Sequence, residues 1–178
     1  MAKYYHVITQ PLDECSSVAE AIELYSNGLY PRIPMSAGYN EDKTIPRVCL
    51  APRVEQCITA IGFNIGPNRY KPIVILEFDL EDWEVYCPTV EQLPDVEDTG
   101  EVWSLCHIKP TAVYEKWLGQ GSIVRKVHKH KDGTPFVECI RLEYLSREDV
   151  MIMEEQDRAE CQRMAEHFEK KFSALKLD

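Results

Sequence analysis

TIPRVCLAPRVEQCITAIG, Thr44–Gly62, reads as a strand that runs straight into a helix. Ile45, Val48, Cys49 and Leu50 form a short apolar run of the kind found in strands buried on both faces. Pro52 suits the first helical position, where its missing N–H costs nothing. Val54, Cys57, Ile58 and Ile61 follow at i, i+3, i+4 and i+7, one apolar stripe down about three turns of helix. Glu55 lies in the first turn, where the helix dipole favours an anion, and Gly62 is placed to close the C-terminus. Arg47 and Arg53 bracket the corner, a place where a fold can present backbone N–H groups and a cation to an anionic ligand; the plainer reading is a core strand followed by a surface helix.

Around this stretch the chain is ordinary globular material. Its 178 residues are 44% hydrophobic and 28% charged, enough for one domain with a sizeable core. A formal charge of -10 argues against a nucleic-acid surface, which needs positive charge opposite phosphate. The seven cysteines (15, 49, 57, 87, 106, 139 and 161) are odd in number, with no CxxC pair. Cys49, Cys57 and Cys161 fall on expected buried positions, so all seven read as reduced thiols of a cytoplasmic protein. No signal peptide is visible at the start, and no apolar run approaches a membrane span.

In chain order, Lys3–Thr9 is a strand of aromatic and β-branched residues that carries Tyr5 and His6. Ser17-x-x-Glu20 matches a capping box, Val18, Ala21, Ile22 and Tyr25 form the stripe of a helix, and Asn27-Gly28 ends it. Leu29–Lys43 has no periodicity and reads as a long irregular loop, of a length that is often functional. Pro72–Phe78 (PIVILEF) is the strongest strand; Asp79–Trp83 reads as a solvated turn and Val85–Pro88 as a short strand. The acidic loop Glu91–Gly100 leads into a strand at Glu101–Ile108, and Ala112–Trp117 is extended. Ser122–His130 and Pro135–Tyr144 form a hairpin at an Asp132-Gly133 turn. Ser146 with Asp149 starts a helix whose stripe (Cys161, Met164, Ala165, Phe168, Phe172, Leu175) runs almost to the end. Unbroken, that helix would be about 40 Å long, about the domain's width, so a break is expected near Met153–Gln156.

The order of these pieces resembles the ADP-ribosyltransferase family. Tyr5-His6-Val7 opens the first strand, Arg47-Val48-Cys49-Leu50-Ala51-Pro52 leads into the helix, IVILEF follows, and an acidic loop ends in Thr99-Gly100-Glu101-Val102-Trp103. In layout this is similar to the small rifampin-type ADP-ribosyltransferases and related phage-encoded proteins. The resemblance covers about residues 3–118 and implies an α+β fold: a split β-sheet core with flanking helices and a long C-terminal helix. One domain over 1–178 is then expected, with 147–176 as a C-terminal helical segment. It also implies that NAD is the substrate, with His6 on the nicotinamide-side ribose and Glu101 as the catalytic carboxylate, Asp95 and Asp98 behind it. Cys49 stands where the family often has Tyr, and Ala51 where it often has Ser. Tyr5, Arg47, Cys49, Arg53 and Trp103 complete the expected NAD-binding set, with Arg47 or Arg53 on the pyrophosphate.

The implied reaction cleaves the nicotinamide–ribose bond and passes ADP-ribose to an acceptor, a host protein among the possibilities. The alternative on the same fold is a non-catalytic acidic binding protein, such as a phage-encoded inhibitor of a host protein. A second constellation, His128-x-His130 beside Asp132, puts two imidazoles on one strand face. Lys126, Lys129 and Lys131 crowd the same hairpin and would repel a cation, so no metal site is expected.

Overall fold

The computed structural model describes residues 1–34, 41–61, 71–119, 121–129, 133 and 135–175. Their order is β1 (Ala2–Ile8), α1 (Val18–Ser26), β2 (Val48–Leu50), α2 (Val54–Ala60), β3 (Pro72–Leu80), a 3₁₀ turn (Asp82–Glu84) and α3 (Val96–Thr99). Then come β4 (Val102–Ser104), β5 (Ala112–Leu118), β6 (Ile123–Lys129), β7 (Pro135–Arg141), β8 (Tyr144–Leu145) and α4 (Arg147–Leu175). The protein is therefore mixed α+β, with antiparallel sheets and a long C-terminal helix. It divides into two compact units, Met1–Tyr144 and Leu145–Asp178.

The first unit is built around β3. Its run Ile73-Val74-Ile75-Leu76 is buried on both faces, the signature of a central strand. β1 and β5 flank it, both antiparallel, in the sheet order β1-β3-β5-β8; His6 lies opposite Leu76, and Tyr114 opposite Ile75. One face of β3 presents Ile73 and Ile75 to Cys57 and Ile58 of α2, with Val7, Ala51 and Leu118 around them. The other presents Val74, Leu76, Phe78 and Leu80 to Ala21 of α1 and to Val48 and Leu50 of β2. Each of these large side chains stabilises the fold by about 1.5–3 kcal/mol through burial.

β2 pairs with β4 in a second, two-stranded sheet, Cys49 opposite Trp103. The other edge of β2 is shared between two segments. At one end Ala51 exchanges both backbone hydrogen bonds with Tyr5 of β1 (2.8 and 3.0 Å). At the other, Arg47 does the same with Arg32 (3.0 and 3.1 Å). Between them the two sheets part, and the Cys49 carbonyl has no strand partner on that edge among the described residues.

The structure revises several local expectations. The Ala51–Tyr5 pairing holds the chain extended past Pro52, so Arg53 (φ -140, ψ 147) is the N-cap and Pro52 precedes the helix. Gly62 lies outside the described residues, as do His130 and Asp132 of the metal constellation. β3 runs on to Leu80, and the Asp79–Trp83 turn is replaced by the 3₁₀ turn, boxed by Glu81 and Glu84. Only Tyr86 of the expected Val85–Pro88 strand pairs, with Trp103. The acidic loop contains α3, closed by Gly100 in the left-handed region (φ 62), and the strand after it is only Val102–Ser104. Glu20 completes its box on Ser16 rather than Ser17: Ser17 accepts from Glu20 N, while Glu20 accepts from Ser16 N at 2.9 Å.

The second unit is α4, 29 residues without a break. The expected interruption near Met153–Gln156 is absent because the segment holds no Gly or Pro and is rich in good helix formers. Ser146 caps it as expected, accepting from Asp149 N at 3.1 Å while Asp149 accepts from Ser146 N at 3.1 Å. Cys161, expected in a core, is exposed.

Candidate active site

The carbonyl left over where the sheets part is taken by a side chain. His6 reaches across from β1, and its Nδ1–H donates to the Cys49 oxygen at 2.7 Å. That bond fixes the tautomer, leaving Nε2 with its lone pair as an acceptor. Burial pushes the imidazole below its ordinary pKa, and the charge of Arg32 adds to the effect, outweighing the Cys49 bond. His6 is therefore neutral at pH 7.

Opposite His6, a small cavity of about 60 Å³ is walled by Val7, Cys49, Leu50, Ala51, Cys57, Ala60 and Ile61, with His6 and Glu101 as its polar groups. It has room for about four waters, or for one compact organic group. Glu101 follows the left-handed Gly100, which turns the chain out of α3 into β4. The indole Nε1–H of Trp103 donates to its Oε1 at 2.7 Å, and the Cys49 thiol donates to the same carboxylate. Burial raises the Glu101 carboxyl above the usual carboxylate range; the two donors oppose that shift, and Glu41 and Asp95 reinforce it.

Trp103 is fully buried, stacked on Tyr86 with ring centroids 5.7 Å apart. Its other contact is Arg47, whose guanidinium carbon lies 4.2 Å from the ring centroid. Arg47 is 1% exposed. Its Nη1 donates to the Asp42 and Ile45 carbonyls (2.6 and 3.3 Å) and its Nη2 to Glu41 Oε2 at 3.1 Å. Its Nε is buried with no hydrogen-bond partner among the described residues.

The thiols of Cys49 and Cys57 are kept protonated. Burial pushes Cys49 far above its ordinary value, helped by Glu101, and takes Cys57 up to about 12. Cys57 donates to the Tyr5 carbonyl at 3.2 Å. Neither thiol is a nucleophile at neutral pH. Among the described residues no group of His, Cys, Asp and Glu is arranged to hold a metal ion.

No protein-family model, curated protein or solved structure matches the chain.

Of the residues expected at the site, His6, Cys49 and Glu101 come together on one cavity, with Ala51 beside them. The other four do not line it. Tyr5 packs on the α2 side of the sheet, and Arg53 is exposed at the start of α2. Arg47 and Trp103 lie in the core, which leaves Arg47 badly placed for the pyrophosphate that it or Arg53 was expected to hold. Instead they hold Glu101 in place: Arg47 supports the indole, and the indole grips the carboxylate. The sequence reading overlooked Ala60 and Ile61 as cavity walls, and Arg32, the cation that acts on His6. Ile61 belongs to the apolar α2 stripe, whereas Ala60 lies off it and gave no signal. Arg32 sits in an aperiodic loop and gave no signal.

Proposed function

We propose that the chain binds NAD as a substrate on an ADP-ribosyltransferase-like split sheet, cleaves the nicotinamide–ribose bond and transfers ADP-ribose to an acceptor. The observation that carries the reading is the meeting of His6, Cys49, Ala51 and Glu101, from three separate strand segments, on one cavity where two sheets part. At about 60 Å³ the cavity suits the reacting end of the dinucleotide rather than its whole length. His6 Nε2 accepts a hydrogen bond from a ribose hydroxyl, a task for which the neutral, tautomer-fixed imidazole is suited. As the C–N bond breaks, nicotinamide leaves with the bonding electrons and positive charge develops on the ribose. Glu101 stabilises that charge in a site of low dielectric, where a fixed carboxylate is worth far more than in water. The acceptor then bonds to the ribose carbon and gives up a proton, which Glu101 is placed to receive.

Acceptors of three classes fit this chemistry: a protein (a host protein included), a small molecule or a nucleic acid. A cytoplasmic setting goes with the reading, since the six described cysteines are unpaired. Among the described residues no helix is long and apolar enough to cross a membrane. Cys49 and Ala51, in positions where the family often carries Tyr and Ser, favour the second reading, a non-catalytic acidic binding protein on the same fold, such as an inhibitor of a host protein. Calorimetry with NAD on the wild type and on His6→Ala tests the site. A hydrogen bond left unmade is worth about 1–2 kcal/mol, so His6→Ala should bind about ten times more weakly. Equal affinity in the two proteins would remove His6 from the site.

A further inference from the structure

Cys49 meets both polar groups of the cavity, each through a different atom. Its carbonyl oxygen accepts from His6 Nδ1 at 2.7 Å. Its side chain faces the other group, Glu101. Cys49 lies directly opposite Trp103 in the β2–β4 pair, and the backbone of Trp103 bonds away from β2, to Tyr86 (2.7 and 2.8 Å). The pair is thus of the close, non-hydrogen-bonded kind, with Cα atoms about 4.5 Å apart and both side chains on one face. Arg47 and Glu101, two residues before Cys49 and Trp103 in turn, fall on that face as well. There the indole grips Glu101 Oε1 at 2.7 Å and carries the Arg47 guanidinium, 4.2 Å from its centroid. Arg47 and Trp103 are buried, whereas Cys49 and Glu101 both line the cavity. The thiol therefore sits where cation, indole and carboxylate meet, and it touches both the guanidinium and the carboxylate.

We infer that Cys49 is a positioning residue: its thiol, seated between the Arg47 guanidinium and Glu101, keeps the carboxylate aimed into the cavity. This rests on the reading that Glu101 is the carboxylate that acts on the ribose. A thiol is a weak donor, so it steadies the group without tying up its charge as a hydroxyl would. The contact with Cys49 opposes the rise in the Glu101 pKa that burial causes. The other titratable or charged groups around the carboxylate are His6 on β1, Arg47 before β2, Cys57 on α2, Glu41 and Asp95. None of them is altered by replacing Cys49.

Carbon NMR of protein labelled at its glutamate carboxyls reads the site without NAD, the Glu101 signal being identified by its loss in Glu101→Gln. Cys49→Ala removes the thiol and leaves the carbonyl that holds His6. Glu101 should then titrate about half a pH unit or more higher, while the His6 imidazole titrates as in the wild type. Cys49→Ser keeps a donor and should bring Glu101 back to the wild-type midpoint or below it. In nicotinamide release, Cys49→Ala should lose about tenfold in kcat at unchanged KM, and Cys49→Ser should recover most of that loss. A Glu101 midpoint unmoved in Cys49→Ala, or a loss that Cys49→Ser does not recover, would overturn the inference and leave the thiol as core filling. A midpoint that moves as expected in a protein that releases no nicotinamide would support the hold on Glu101 and overturn the reaction.

Discussion

Glu101 concentrates the conflict between stability and the proposed function. Its folded pKa is raised, chiefly by burial, so the folded chain holds that proton more tightly than the unfolded chain. Its contribution to stability is complete below the unfolded carboxyl value of about 4.3 and is lost as pH rises through the folded value. At pH 7 the buried carboxylate therefore costs stability. Glu101→Gln keeps an oxygen for Trp103 and Cys49 but removes the charge, so it should melt a few degrees higher than the wild type at pH 7. The gain should shrink towards zero below about pH 4, which scanning calorimetry across pH would show. A lower melting temperature at pH 7 would mean that Glu101 is a structural ion and not a strained functional one. His6 works the other way. Its pKa is depressed, so its contribution is present above about 6.5 and is lost as pH falls through the folded value. His6→Gln should therefore lose less stability than the wild type between pH 7 and pH 5. That His6 and Glu101 meet on one cavity was legible from their place in short motifs. The burial of Arg47 and Trp103 was not, because charge and aromaticity look alike in sequence whether they meet a ligand or each other.

At the scale of elements, two glycines mark tight turns of the backbone. Gly28 and Gly100 both lie at positive φ, where a side chain is strained whatever the space around it. Gly28→Ala would also drive its Cβ into the Ile108 carbonyl, so a loss of about 2 kcal/mol or more is expected in chemical denaturation. A change under about 0.5 kcal/mol would show that the backbone pairing of Leu29 with Ile108 yields easily. At the start of α4, Ser146→Ala removes a cap worth about 1 kcal/mol, seen as fraying of the first turn by amide exchange. Long elements were the legible ones. The β3 run, the α1 stripe and the start of α4 follow from hydrophobic periodicity and caps. Elements of three or four residues, β4 and α3 among them, are set by tertiary pairing and lie below what periodicity resolves. The α4 break failed for a different reason: it was inferred from an assumed domain width, whereas the residues themselves contain no breaker.

For the whole molecule, the α+β class followed from the mix of strand and helix patterns, and the C-terminal helical segment expected over 147–176 falls within the second unit, Leu145–Asp178, a stretch without Gly or Pro. The seven cysteines should all titrate as free thiols after denaturation, and an intact mass lower by four or more would reveal two disulfides instead. The decisive quantity is chemical turnover. Purified protein incubated with NAD should release nicotinamide, with a rate that rises with pH as Glu101 ionises. Glu101→Gln should bind NAD nearly as well but release nicotinamide about 10²-fold more slowly, since the carboxylate acts mainly in the transition state. Nicotinamide release by Glu101→Gln at the wild-type rate, or none from the wild type at millimolar NAD, would contradict the proposed reaction.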